Sequence, residues 1–137
     1  MIRIENLSRK FEVGNQIVRA LDHIDLEITK GEYLSIMGVS GSGKSTLLNI
    51  LGLLDTPTKG DYILSGINTS EMNDDEMAHI RSTKIGFVFQ SFHLIPRLTA
   101  AENIEMPMVL AGIKPKDRQE KVEIALSHVS LNDRSDH

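Results

Sequence analysis

Cysteine is absent from all 137 residues. Its absence excludes disulfides and thiolate metal sites and suits a reducing compartment. A surplus of basic charge is also missing: 15 Lys and Arg stand against 19 Asp and Glu, a formal net charge of −4. Such a chain has little with which to neutralise a run of nucleic-acid phosphates, so neither DNA nor RNA is an expected partner. Long apolar runs are lacking. Residues 47–54 (LLNILGLL) and 106–113 (MPMVLAGI) are the longest apolar stretches, far short of the roughly 18 residues that span a bilayer. The opening MIRIENLSRKF alternates apolar and charged residues and lacks the continuous apolar core of a signal peptide. His23, His79, His93, His128 and His137 show no metal-ligand spacing, and no Ser-His-Asp arrangement can be drawn. The acidic run at 71–76 (EMNDDE) reads as a solvated helix start, because carboxylates suit the positive end of a helix dipole.

What is present is a 40% apolar fraction, enough for the packed core of one small domain. Alternating apolar residues predict strands over 2–11 and 17–28, with a turn at 12–16 (EVGNQ) between them. Residues 33–37 (YLSIM) predict a short apolar strand, 61–64 the start of another, and 85–90 (IGFVFQ) a strongly apolar one. From Lys44 the period changes: Leu47, Leu48, Leu51 and Leu54 share one helical face. Asn73 with Glu76, and Thr99 with Glu102, form capping-box patterns that open two further helices, the first running to about Thr83. Pro107 threatens the interior of the second. Pro115 suits the first turn of a last helix, with Val122, Ala125, Leu126 and Val129 along one face.

Between the strand at 33–37 and the helix from Lys44 lies GVSGSGKST, residues 38–46. It fits G-x-x-x-x-G-K-[ST], with Gly38, Gly43, Lys44 and Ser45 in the fixed positions. Such a loop turns backbone N–H groups inward around phosphate oxygens, since glycine carries no Cβ to obstruct them. The following helix aims its positive end at the same anion. Lys44 then reaches the β- and γ-phosphates, and the Ser45 hydroxyl can ligate Mg²⁺. ATP and Mg²⁺ are the expected cofactors, and Gly38, Val39, Ser40, Gly41, Ser42, Gly43, Lys44, Ser45 and Thr46 are the expected nucleotide-binding residues.

The flanking text, KGEYLSIMGVSGSGKSTLLNILGLLDTPTKGDYILSG and KIGFVFQSFHLIPRLTAAENIEMPMVLAG, closely resembles the ATP-binding subunit of ABC transporters, most nearly the branch of macrolide exporters and lipoprotein-releasing ATPases. The resemblance covers essentially the whole chain. It implies an α/β P-loop NTPase (RecA-like) core with an N-terminal antiparallel β-subdomain in 1–90, and the Q-loop with the start of a helical subdomain in 91–137. It implies that Phe11 stacks on adenine, where Tyr is more usual; Phe offers the same flat π-face. It matches Gln90 to the Q-loop glutamine, whose neutral amide oxygen can coordinate Mg²⁺ or orient water. Lys44 and Gln90 are thus the expected catalytic residues. It implies that Phe92, Leu94, Ile95 and Leu98 help form a groove for a membrane permease; burial within the helical subdomain is the competing reading. A second ATP-binding subunit, closing head to tail over ATP, is the other implied partner. The implied location is the cytosolic face of the inner or plasma membrane.

The family's LSGGQ signature, Walker B strand and switch histidine do not occur in these residues. The expected fold is therefore incomplete, with the 33–37 and 85–90 strands lacking sheet partners and the chain alone poorly stable. Hydrolysis by these residues alone stays open, and a module that binds ATP or a partner without turnover is the alternative. A small-molecule kinase is less favoured, for want of an acceptor site and an Arg-rich lid. A GTPase would need an N-K-x-D motif, which is absent.

Overall fold

The computed structural model describes residues 1–91 and 93–137. The chain forms two compact units, Met1–Phe87 and Val88–His137. In the first, strands β1 (Ile2–Val13) and β2 (Gln16–Ile28) make a long antiparallel hairpin. Its turn is Gly14 and Asn15, with Gly14 at φ 60°, a conformation that glycine adopts without strain. β1 also pairs antiparallel with β3 (Lys59–Leu64), and β3 with β4 (Ile67–Asn68), giving the order β2-β1-β3-β4. The expected antiparallel β-subdomain is therefore present. Its register slips between Arg9↔Leu21 and Lys10↔Arg19, so Ala20 is an extra residue on β2, a β-bulge.

Helix α1 (Lys44–Leu51) packs on this sheet through Leu47 and Ile50, which join Ile4, Leu7, Leu21, Leu53, Tyr62 and Leu64 in one core. The face differs from the one the leucine spacing predicts. The helix stops at Leu51 with Gly52 as its C-cap, so Leu54 never joins its surface, and Leu48 and Leu54 are about half exposed. Leu53 turns inward instead, its backbone in the left-handed region at φ 55°. Tyr62 is buried at 1% exposure, and its hydroxyl donates to the Leu51 carbonyl at 2.8 Å, tying the sheet to the end of α1. Burial pushes the Tyr62 phenol up to about 12. Helix α2 (Asp74–Lys84) starts at the predicted box: Glu76 N–H donates to Asn73 Oδ1, and Asn73 N–H to Glu76 Oε2, both at 3.0 Å. The Arg81 guanidinium donates to the Leu53 carbonyl and fastens α2 beneath the turn.

Neither 33–37 nor 85–90 is a strand. Both carry strand-forming side chains, but a strand exists only when its N–H and C=O groups meet a neighbouring ladder. Among the described residues no segment pairs with either. Tyr33 is 94% exposed, Met37 87% and Val88 fully exposed, a density of bare apolar surface that a finished sheet does not show.

The second unit is a helix pair, α3 (Ala100–Leu110) and α4 (Pro115–His128). Thr99 and Glu102 form the predicted reciprocal cap, at 3.2 and 2.8 Å. Pro107 sits inside α3, which continues past it to Leu110, and Pro115 opens α4. Val122 and Leu126 are buried, whereas Val129 lies just past the helix end and is exposed. Arg118 joins α4 to α3 through Glu105 at 2.6 Å. Asn103 binds the preceding loop on both sides of its bend: Oδ1 accepts from Ile95 N–H at 2.8 Å, and Nδ2 donates to the Leu98 and Thr99 carbonyls at 3.0 and 2.9 Å. Among the described residues, no helix is long and apolar enough to cross a membrane.

Candidate functional site

The loop at 38–46 turns into α1 through Gly43, the N-cap, at φ 87°. No side chain caps this helix. Its first N–H groups have no acceptor one turn back and point into the loop, where an anion is the natural cap. Gly43 stands against the bulge: a Cβ there would lie 2.4 Å from the Ala20 carbonyl oxygen and 3.1 Å from Leu21 Cδ2. Gly41, at φ 79°, has open space around it. A Cβ on Gly38 would meet the rotatable Ser42 Oγ at 2.6 Å. The loop is thus pressed against β2 at one point and free elsewhere.

Lys44 Nζ donates to the Gly38 and Val39 carbonyls at 2.8 and 2.6 Å, and lies 3.4 Å from Ser42 Oγ. The ammonium therefore sits in the throat of the loop, held by oxygens that phosphate oxygens can replace. Ser42 N–H donates to Val39 O at 3.3 Å and closes the turn. Beside it opens a cavity of about 200 Å³, with Gly41, Gly43, Lys44, Ser45 and Thr46 on one wall and Val18, Arg19 and Ala20 of β2 on the other. Ser40 and Val39 are exposed at the loop tip. The Ser45 hydroxyl stands exposed in the first turn of α1. A hydroxyl there, beside the ammonium and a row of N–H donors, fits a Mg²⁺–triphosphate group.

Phe11 pairs with Val18 across the hairpin, which places it next to the same cavity. It is half-buried, with the Arg9 guanidinium 4.5 Å from its ring centroid. Arg9 in turn makes a two-pronged pair with Asp55, Nε–Oδ2 2.9 Å and Nη2–Oδ1 2.6 Å. Sequence reasoning missed Arg9, Asp55 and the Ala20 bulge. The period of two along β1 was the available signal for Arg9, since residues 9 and 11 share a face.

Gln90 belongs to the second unit and is exposed. Leu94, Ile95 and Leu98 line an apolar cavity of about 650 Å³ with Pro96, Ile104 and Leu126. Leu94 and Ile95 are 63% and 42% exposed, so neither is fully committed to the core. Phe92 lies outside the described residues.

The chain is 50% identical over its whole length to YknY of Bacillus subtilis, an ABC transporter ATP-binding protein, and spans 60% of it. It is 48% identical over its whole length to the macrolide export ATP-binding/permease protein MacB of Brucella abortus, covering 21% of that longer chain. The solved ATP-binding cassette MJ0796 of Methanocaldococcus jannaschii, in a dimeric post-hydrolysis state bound to ADP and Pi, superposes with a TM-score of 0.88 at 42% identity. That match takes in all of this chain and 61% of the cassette. The family pattern described as ABC transporter matches residues 21–137. The glycine loop, the strand hairpin that backs it and these likenesses along the full 137 residues have one explanation: the chain belongs to the ABC transporter family.

Proposed function

We propose that these residues form the nucleotide-gripping part of an ABC transporter ATP-binding subunit, which couples ATP binding and hydrolysis to export or lipoprotein release by an integral membrane permease. The observation that carries this reading is the uncapped α1 N-terminus with Lys44 held in the loop throat and Gly43 seated on the Ala20 carbonyl. Residues 38–46 wrap the phosphates with backbone N–H groups, and Lys44 releases the Gly38 and Val39 carbonyls to neutralise them. Phe11 offers its ring to the adenine. Ser45 is the loop residue that would hold Mg²⁺, whose charge offsets that of the phosphate oxygens; Gln90 keeps the Q-loop role that the family resemblance implies. Water activation is not assigned to these 137 residues, which contain neither a Walker B strand nor a switch histidine. MacB being an export protein supports the transport reading, and the dimeric, ADP-bound MJ0796 supports a paired, nucleotide-binding subunit. A permease partner places the protein on the cytosolic face of the membrane, with Leu94, Ile95 and Leu98 available to meet it. The test is Mg-ATP titration of the protein and of Lys44→Ala. Affinity should fall at least tenfold, and a change within twofold would remove Lys44 from the site.

A further inference from the structure

We infer that Arg9 is a positioning residue for the purine platform: it covers one face of the Phe11 ring and leaves the opposite face to the base. The inference rests on the reading of Phe11 as the adenine-stacking residue. The Arg9 guanidinium lies 4.5 Å from the ring centroid, within cation–π range. A long arginine on a free strand would sample many rotamers, but this one donates through Nε and Nη2 to the two carboxylate oxygens of Asp55, at 2.9 and 2.6 Å. The two side chains are 23% and 21% exposed, so the pair is partly shielded from solvent. Asp55 follows α1, the helix that the phosphate loop opens. One chain of contacts therefore runs from α1 through Asp55 and Arg9 to Phe11, which stands opposite Val18 at the edge of the loop cavity. The ring is backed on one face before any nucleotide arrives, so less ordering remains to be done on binding. A cation behind the ring also draws on its π-electrons and favours a stacked base in front.

The test measures ADP and inorganic tripolyphosphate affinities on the protein at its natural length. Arg9→Met should weaken ADP binding about threefold to tenfold, the range of a partly shielded cation–π contact. It should leave tripolyphosphate, which has no base, within twofold. Asp55→Asn leaves the arginine in place but releases it, and should shift ADP in the same direction; it serves if Arg9→Met loses its fold. The double variant should add little to either single one. An equal loss for both ligands would mean general damage to the loop and would overturn the inference. So would unchanged ADP affinity in Arg9→Met where Phe11→Ala weakens ADP; the stacking reading would then survive alone. If Phe11→Ala also leaves ADP unchanged, both the platform and its backing fall.

Discussion

Gly43→Ala offers a test whose size follows from the geometry. The residue holds φ 87°, where an L side chain is strained by about 1–2 kcal/mol. Gly41, at φ 79°, carries the same conformational penalty with open space around it. The two positions differ in one respect: a methyl group at Gly43 meets the Ala20 carbonyl at 2.4 Å. A real Cβ does not approach so closely, and the Ala20 carbonyl is backbone, fixed by the paired residues Arg19 and Leu21 on either side of the bulge. Either the loop lifts from β2 or the bulge is pushed out, at a further cost of about 1–3 kcal/mol, as for overpacking elsewhere. In the protein at its natural length, Gly41→Ala should therefore cost about 1–2 kcal/mol and Gly43→Ala about 2–5 kcal/mol, read as shifts of the denaturant midpoint. Lifting the loop also moves the α1 N–H donors away from the phosphates. Mg-ADP affinity, read by calorimetric titration at a temperature where both variants are folded, should fall at least tenfold in Gly43→Ala and less than threefold in Gly41→Ala. Equal effects at both positions would show that strain alone matters and that the contact with Ala20 has no part in shaping the loop.

Three further outcomes are expected. Tyr62 ionises at about 12 in the fold against 10.0 ordinarily, so between those values the unfolded chain loses a proton that the folded chain keeps, and stability falls as pH rises, by at most about 1.4 kcal/mol per unit. Below pH 10 the contribution is fully present; Tyr62→Phe should cost about 1 kcal/mol at neutral pH, by orphaning the Leu51 carbonyl, and flatten the alkaline slope in denaturant titrations. Thr99→Ala removes the α3 cap and should cost about 1 kcal/mol, read as a shift of the urea midpoint, with Thr99→Ser restoring most of it. The 137-residue chain by itself, with Tyr33, Met37 and Val88 bare, should bind a hydrophobic dye and show no sharp melt above about 45 °C; a cooperative transition above that temperature would contradict the account of 33–37 and 85–90 as segments outside any ladder among the described residues.

Local rules were the readable ones. Asn73 with Glu76 and Thr99 with Glu102 each depend on four consecutive residues, and both caps formed as the pattern predicts. The alternation of β1 and β2 and the glycines of the loop are local in the same sense. The segments at 33–37 and 85–90 show where that reasoning stops. Their composition specifies a willingness to be a strand, but the ladder that makes one comes from elsewhere in a sheet. The buried face of α1 went astray for a related reason: Leu54 continues the leucine spacing, yet Gly52 ends the helix first and Leu53 takes the core position. Arg9 and Asp55 are 46 residues apart, and nothing in either neighbourhood announces the other. The bulge at Ala20 is a matter of register between two strands, which neither strand records alone.

Asn103 makes the segment before α3 mechanically stiff. Its side chain holds Ile95 at one end of the bend and Leu98 and Thr99 at the other, while its own backbone belongs to the first turns of the helix. A bend held across its mouth cannot flex like a hinge. A load on Leu94 or Ile95 from outside would thus reach α3 directly through the Asn103 amide, and α4 through the pair of Glu105 with Arg118.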